Sequence, residues 1–270
     1  MALKWHECFP DRGLLLWGRR EESLIGAKEA LPENCLTTDL ARISAEADLI
    51  ILATPVGSMS HLVELMLESG LRPGAVISDV GSVKSMVHRE IEPLLAGTGV
   101  EFVGSHPMAG SEKAGFSAAR ADLFEGAACV ITGESSAQSA VLDFWTSLGC
   151  NCYVMSPEEH DAAVARVSHL PHVMASCTAL SALSPDPKSG AIAGGGLRDT
   201  TRVASGDAQL WAEILSENRD ALRGPLQDSI NHLREVLDIL DANDQERLTQ
   251  WLHEAKLLRD SLDPISPSQS

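Results

Sequence analysis

The chain has 270 residues, of which 44% are hydrophobic, 22% are charged and only 4% are aromatic. A chain of this length can bury a sizeable core and form two domains, which excludes a small disulfide-stabilised scaffold. Its 21 basic and 38 acidic side chains give a formal net charge of −17. A nucleic acid or an anionic membrane would repel such a protein on average, so we expect neither as a partner.

Cysteine usage indicates a reducing compartment. The six cysteines are scattered, and the Cys-x-Cys pair at 150 and 152 has no second pair to complete a zinc site. We therefore predict reduced thiols, no bound metal and a cytoplasmic location. The first ten residues agree with that location, because polar and charged side chains interrupt them and leave no signal-peptide segment.

The first part of the chain alternates between short apolar runs and segments with helical periodicity. This alternation is typical of βαβ units around a parallel sheet, and a run such as Leu-Ile-Ile-Leu from residue 49 suits a strand covered on both faces. The predicted strands are residues 14–17, 49–53, 75–78, 101–103, 128–131 and 152–155.

After residue 155 only helical patterns follow. Ser156, Pro157 and Glu159 have the spacing of a helix start, with a capping serine, a proline in the first turn and a glutamate that completes a capping box. Pro171 is expected to kink the next helix, and the glycines at 194–196 are expected to form a flexible stretch. Further helices are predicted at residues 207–218, 222–240 and 245–258.

These patterns predict an α/β fold with a Rossmann-like parallel-sheet domain followed by an all-α domain. The predicted boundaries are residues 1–155 for the sheet domain and 156–260 for the helical domain. Residues 261–270, with two prolines and four serines, are expected to form a disordered tail.

Polar residues follow the predicted strands, where ligands bind in open parallel sheets. Four motifs in this region and beyond it carry a family resemblance: Asp-Val-Gly-Ser-Val-Lys from residue 79, Gly-Ser-His-Pro-Met-Ala-Gly-Ser-Glu-Lys-Ala-Gly from 104, Ser-His-Leu-Pro-His from 168 and Gly-Leu-Arg-Asp-Thr-Thr-Arg from 196. In this order, the motifs resemble those of the prephenate/arogenate dehydrogenases of tyrosine biosynthesis. The resemblance extends from residue 14 to about residue 258.

The resemblance implies oxidative decarboxylation of prephenate or arogenate with a nicotinamide cofactor, and a homodimer formed through the helical domain. His106 matches the catalytic base, Ser82 the serine that hydrogen-bonds it, and Arg202 the arginine that binds a substrate carboxylate. The other positions that match the substrate pocket are His172, Ser111, Glu112 and Trp211. Candidates for cofactor contacts at the strand ends are Thr54, Pro55 and Asp79.

The sequence departs from the family at the cofactor site. It has no Gly-x-Gly-x-x-Gly turn, and residues 1–9 resemble the end of the helix that normally follows that turn. We therefore expect the first strand to lie upstream of Met1, which leaves the Rossmann-like domain incomplete and the cofactor weakly held. Gly18, Arg19 and Arg20 take the place of the acidic residue that binds the NAD ribose, which predicts a preference for NADP.

Other interpretations of the sequence stay open. A different reductase with a Rossmann domain and a helical dimer, such as a β-hydroxyacid dehydrogenase, would use a lysine base in the helical domain. A remnant that dimerises without catalysis would also fit the patterns. His169 is expected to pack beside the kink rather than bind metal, and the remaining histidines, at 6, 61, 88, 160, 232 and 253, are expected at the surface.

Overall fold

The structure is a computed structural model that describes residues 1–110, 116 and 119–262. The strands in its described residues are β1 Leu16–Trp17, β2 Leu36–Thr37, β3 Leu49–Leu52, β4 Val76–Asp79, β5 Glu101–Pro107, β6 Ala128–Thr132 and β7 Asn151–Met155. β1 and β2 form a parallel pair, and β3 to β7 form a five-stranded sheet in chain order. Each of the six predicted strands overlaps an observed strand, and β2 was missed.

Helices alternate with the strands, as the sequence pattern predicts. α1 Ala2–Cys8 precedes β1, and the helices between later strands are α2 Leu40–Glu46, α3 Met59–Glu68, α4 Ser85–Leu95 and α5 Gln138–Ser147. Asp39 caps α2 by accepting hydrogen bonds from two of its first backbone N–H groups. The predicted helix at residues 1–9 is confirmed by α1, which packs its Trp5 ring against Phe144 of α5.

The strand β5 pairs in parallel with one neighbour and antiparallel with the other. Its first half, from Glu101 to Val103, pairs in parallel with β4. Its second half, from Gly104 to Pro107, pairs antiparallel with β6. The predicted strand ended at residue 103 because the residues that follow are not apolar, and this prediction was wrong. His106 therefore lies within β5 rather than beyond its end.

Two apolar clusters form the core of this part of the chain. One joins β3, β4 and the start of β5 to helices α3 and α4, with Val63, Ile77 and Ile91 fully buried. The other joins β6 to α5 through Ile131, Val141 and Trp145. Each fully buried aliphatic side chain contributes about 1.5–3 kcal/mol to folding. Both clusters border β5, so the strand that carries His106 is held by packing on both sides.

The second half of the chain is helical in its described residues: α6 Pro157–Val164, α7 Leu170–Leu183, α8 Gly195–Thr201, α9 Ala208–Glu217, α10 Arg219–Asp241 and α11 Gln245–Asp260. The capping box at Ser156 is confirmed, with both reciprocal hydrogen bonds to Glu159 present. A π-helical turn, Ala165–His169, separates α6 from α7. The helical backbone continues from α6 through this turn into α7, so Pro171 lies inside one longer helix, two residues past the π-helical turn, and the expected kink stays a prediction.

The glycines predicted to be flexible instead start α8 at Gly195. By compactness the chain divides into Met1–Asn218 and Arg219–Ser270. Residues 263–270 of the predicted tail lie outside the described residues. In the described part of the chain, no helix is both long enough and apolar enough to cross a membrane.

Candidate active site

His106 is the penultimate residue of β5 and lies opposite Val130 of β6. Its side chain is only 8% exposed. The strand approaches its neighbours closely at this point, since a Cβ on Gly104 would lie 2.4 Å from the hydroxyl of Thr132 and 2.7 Å from the ring of His88. A glycine at 104 is therefore required for the close packing that holds this end of β5 in place.

The ring of His106 belongs to a buried chain of hydrogen bonds that leads into α6. Its Nδ1 lies 2.8 Å from Nε2 of His160. Nδ1 of His160 lies 2.8 Å from Oδ1 of Asp161. The Asp161 carboxylate also accepts the backbone N–H groups of Lys84 at 2.8 Å and Ser85 at 2.9 Å, where α4 begins.

These contacts decide which ring nitrogens carry protons. An ionised Asp161 only accepts, so Nδ1 of His160 must donate to it and Nε2 of His160 must be the acceptor. Nδ1 of His106 then donates to that nitrogen. In the neutral ring the remaining nitrogen of His106, Nε2, carries no proton and is free to accept one. The Asp161–His160 pair thus fixes His106 as a base with its lone pair on Nε2.

Burial and charge set the protonation of the whole chain. Burial, helped by the neighbouring His160 and Lys84, lowers the pKa of His106 well below 6.5. Burial also lowers the pKa of His160, although Asp161 opposes this effect. For Asp161, burial alone would raise the pKa, but hydrogen bonds from His160 and from the start of α4 outweigh it and lower the pKa to about 2. At neutral pH both rings are therefore neutral and the carboxylate is ionised.

A second buried pair stabilises the end of β4. The Asp79 carboxylate accepts hydrogen bonds from the Lys84 ammonium and from the backbone N–H groups of Gly81, at 2.8 Å, and Ser105, at 3.1 Å. Both Asp79 and Lys84 are fully buried. The carboxylate therefore organises the loop between β4 and α4 and has no exposed surface for the cofactor contact that the sequence suggested. The prediction of Asp79 as a cofactor contact does not fit this burial.

A third group of side chains surrounds Trp211 on α9. The ring of His172 stacks on Trp211 at 3.6 Å between centroids, and His169 meets it edge-on at 6.2 Å. The Asn218 side-chain amide donates to the backbone carbonyl of Asp161 at 2.9 Å and to Nδ1 of His169 at 3.0 Å, so the neutral ring of His169 carries its proton on Nε2.

Two ring nitrogens in this group lack a hydrogen-bond partner in the described part of the chain: Nε2 of His169 and Nδ1 of His172. Burial lowers the pKa of His169 to about 4 and that of His172 in the same direction. Buried polar atoms without partners are uncommon in native proteins and are expected where a ligand completes the hydrogen bonding. His169 also lies close enough to His106 to lower the pKa of that ring.

The other candidate residues occupy varied positions. Ser82 is half-buried in the loop after β4, and the described residues give His106 a ring hydrogen bond to His160, not to Ser82. Arg202 is exposed directly after α8. Ser111 and Glu112 lie outside the described residues. The cofactor candidates are Thr54 and the exposed Pro55 after β3, and the exposed Arg19 and Arg20 after β1.

Sequence reasoning missed His160, Asp161, Lys84 and Asn218. The expectation of a surface position was wrong for His160, which is fully buried, and for His88, whose ring contacts Thr132 and Glu92. A signal for His160 did exist. It stands four residues before Val164, so the two share the apolar face of α6.

Comparison with known proteins identifies the family. A family model described as "Prephenate dehydrogenase, nucleotide-binding domain" matches residues 19–155. A second, described as "Prephenate dehydrogenase, dimerization domain", matches residues 156–254. The chain belongs to the prephenate dehydrogenase family. The resemblance inferred from the four motifs is thereby confirmed, and the protein is a nicotinamide-dependent dehydrogenase.

Individual relatives of this prephenate dehydrogenase family member agree. A prephenate dehydrogenase of Lactococcus lactis is 31% identical over 97% of this chain and 74% of its own length. A cyclohexadienyl dehydrogenase of Zymomonas mobilis is 32% identical over 93% of this chain and 87% of its own. The crystal structure of Aquifex aeolicus prephenate dehydrogenase in complex with hydroxyphenyl propionate and NAD+ is 26% identical, covers 97% of this chain and 93% of that chain, and gives a TM-score of 0.86.

The strand ends of this family member fit a nicotinamide cofactor in part. The Thr54 hydroxyl, two residues after β3, is buried and lacks a partner among the described residues. An unpaired hydroxyl at the carboxyl end of a parallel strand lies where dinucleotides bind in Rossmann-like sheets. The sequence contains no Gly-x-Gly-x-x-Gly turn, which is the motif whose backbone amides hold a pyrophosphate in such domains.

Proposed function

We propose that this prephenate dehydrogenase family member oxidises and decarboxylates a cyclohexadienol acid, prephenate or arogenate, with His106 as the general base. The observation that carries the proposal is the buried chain from Asp161 through His160 to His106. It leaves His106 neutral at physiological pH with a free lone pair on Nε2. That is the state a base needs to accept the proton of a ring hydroxyl.

The residues of the chain have defined roles in this reaction. Nε2 of His106 accepts the hydroxyl proton while the hydrogen on the same carbon leaves as hydride. The positive charge that develops on His106 strengthens its hydrogen bond to His160, and the Asp161 carboxylate stabilises that charge. A bound nicotinamide supplies the hydride acceptor. Loss of carbon dioxide then makes the substrate ring aromatic, so the protein chiefly supplies alignment and a base.

We propose that the substrate lies between β5 and the Trp211 group. His172 and His169, whose ring nitrogens lack partners among the described residues, are oriented to complete their hydrogen bonds with the polar groups of the substrate. Arg202 would bind a carboxylate through its planar guanidinium. Ser82 would contact the ring hydroxyl beside His106, and Ser111 and Glu112 would line the same pocket.

On the cofactor side, we propose contacts with Thr54, Pro55, Arg19 and Arg20. The two arginines follow β1, where an acidic residue would select NAD, and their guanidinium groups suit the 2′-phosphate of NADP. We therefore propose a preference for NADP over NAD.

We also propose that residues 156–260 form a substrate and dimerisation domain, with residues 1–155 as the nucleotide-binding domain. Exposed leucines are frequent on α10 and α11, among them Leu233, Leu237 and Leu252. A second copy of the chain would bury them in a homodimer. The six free cysteines suit the proposed cytoplasmic location.

The reaction is tested by following reduced nicotinamide at its absorbance maximum with prephenate and with arogenate, each with NADP and NAD. The proposal expects turnover with at least one pair and a loss of about 10²- to 10⁴-fold in kcat for His106→Asn. The surface variant His253→Asn serves as the control. No turnover of either substrate by the folded protein, or full activity of His106→Asn, would contradict it.

A further inference from the structure

Three of the six cysteines lie together where β6 meets β7. Cys129 of β6 is the register partner of Cys152 of β7. Cys150 directly precedes β7 and stands two residues before Cys152, which places both on one face of the strand. The three side chains lie close enough for the neighbouring thiols to raise the pKa of Cys129. The three are free thiols, and nothing in the proposed reaction uses them.

The three thiols differ in access to solvent. Cys129 is fully buried and Cys150 nearly so, whereas Cys152 is only half-buried. β7 is the outermost strand of its sheet, which explains the partial exposure of Cys152. A small oxidant can therefore approach Cys152 from solvent, while Cys129 has no exposed surface.

The surroundings also differ in their effect on ionisation. The Cys152 sulfur accepts a hydrogen bond from the Thr146 hydroxyl at 3.7 Å and donates to the backbone carbonyl of Leu142 at 4.0 Å. The neighbouring Cys129 thiol and the Thr146 hydroxyl lower the pKa of Cys152 to about 7 against the effect of burial. Hydrogen bonding to the two neighbouring thiols, together with burial, raises the pKa of Cys129. The half-buried sulfur of Cys152 therefore ionises more readily than the buried sulfur of Cys129.

We propose that Cys152 and Cys129 form a peroxide-sensitive thiol pair that closes reversibly into a disulfide. The Cys152 thiolate attacks one oxygen of hydrogen peroxide, the O–O bond breaks, and sulfenic acid and water result after one proton is taken up. The Cys129 sulfur then attacks the sulfenic sulfur. The S–O bond breaks, the disulfide forms and a second water leaves with the Cys129 proton. In total, two thiols are oxidised and one peroxide is reduced to two waters.

The strand geometry permits this bond. Neighbouring strands lie about 4.8 Å apart, and register partners in a ladder therefore fall within the roughly 4.4–6.8 Å between Cα atoms that a disulfide spans. Cys150 lies outside the ladder register, so Cys129 is the better-placed partner. A dithiol reductant would reverse the bond by thiol exchange.

The expected selectivity follows from ionisation. At pH 7 about half of Cys152 is thiolate, against about 3% of a thiol with an ordinary pKa near 8.5. The Cys152 thiolate is less basic and therefore about fivefold less nucleophilic than an ordinary thiolate. Cys152 should thus react about threefold faster than an ordinary thiol at pH 7. This advantage should grow to about sixfold at pH 6, because an ordinary thiol loses its thiolate faster than Cys152 does.

The test treats the reduced full-length protein with a small excess of hydrogen peroxide at pH 7 and at pH 6, and maps the thiols by peptide mass spectrometry. We expect a mass loss of about 2 Da located between the peptides of Cys129 and Cys152, formed before the exposed Cys8 and Cys177 react, and restored by dithiothreitol. This measurement needs no variant.

Variants identify the order of events. Cys129→Ser should trap Cys152 as a sulfenic acid that dimedone labels, whereas Cys177→Ser should leave the disulfide unchanged. Oxidation of Cys152 no faster than that of Cys8 and Cys177 would overturn the proposal. A disulfide from Cys152 to Cys150 in the wild-type chain, or a Cys152 sulfenic acid that persists beside an intact Cys129, would overturn it too.

Discussion

Replacing Asp161 by asparagine tests how the base is prepared. The carboxylate accepts hydrogen bonds from His160 and from the backbone N–H groups of Lys84 and Ser85. An asparagine keeps one oxygen, so its NH2 group must face either Ser85 or the His160 ring. In the second case His160 reverses its tautomer, and the proton of the neutral His106 moves to Nε2, the nitrogen that should accept the substrate proton.

The magnitude follows from the bonds lost. Asp161→Asn removes at least one charge-assisted hydrogen bond, worth about 1.5–3 kcal/mol. If that energy is lost from the transition state, kcat falls about 10- to 150-fold. The substitution also removes the negative charge that raises the pKa of His106. The acid limb of the kcat/KM profile, where His106 becomes protonated, should therefore move to lower pH.

Stability gives a second readout for the same variant. The pKa of Asp161 is lowered from 3.8 to about 2 in the folded protein. A lowered carboxyl pKa contributes stability that is present above the unfolded value and disappears as pH falls through the folded value; here it is about 2 kcal/mol. The deficit of Asp161→Asn in the free energy of unfolding should thus shrink between pH 5 and about pH 2.

Steady-state kinetics across pH, with circular dichroism to verify folding, measures these effects. Glu158→Gln is the matched control, because it makes the same chemical change at an exposed position of α6. A folded Asp161→Asn protein with kcat within about twofold of wild type and an unmoved acid limb would refute the reasoning.

Three further predictions concern single side chains. Arg202→Lys should raise KM about tenfold or more, since an ammonium cannot make the paired hydrogen bonds of a guanidinium, and Arg198→Lys on the preceding turn should not; equal effects would contradict the assignment. Arg19→Ala should lower the ratio of kcat/KM for NADP to that for NAD, and an unchanged ratio would remove the proposed preference. Trp145→Phe should cost about 1–3 kcal/mol in chemical unfolding, because the indole N–H donates to the buried Ser105 hydroxyl at 2.9 Å, and a cost below about 0.5 kcal/mol would contradict this.

Most of the sheet could be predicted because its strands are buried on both faces and read as continuous apolar runs. β2, Leu36–Thr37, has only two residues and leaves no such pattern. The second half of β5 was also missed, since Gly104 to Pro107 includes a buried serine and a buried histidine whose partners come from distant parts of the chain. Antiparallel pairing with β6 depends on those same residues, and no sequence pattern indicated it.

The residues of the candidate site were also predicted only in part. His106 was found because it stands in a motif, and Asp79 because it follows the predicted strand at residues 75–78. Lys84 was missed because lysine is almost never fully buried unless it is paired, and its partner Asp79 becomes evident only when the loop after β4 is folded. His160 and Asp161 lie in the polar first turns of α6, where a sequence reading assigns charge to solvent.

The protonation of the His106 ring tests the central claim most directly. Nitrogen-15 NMR of the histidine-labelled protein at pH 7, with His106 assigned by comparison with His106→Asn, distinguishes protonated from unprotonated ring nitrogens. We predict a neutral His106 with the proton on Nδ1 and none on Nε2, and in Asp161→Asn this proton should move to Nε2 when the asparagine NH2 group faces His160. A charged ring at pH 7, or a proton on Nε2 in the wild-type protein, would contradict the account.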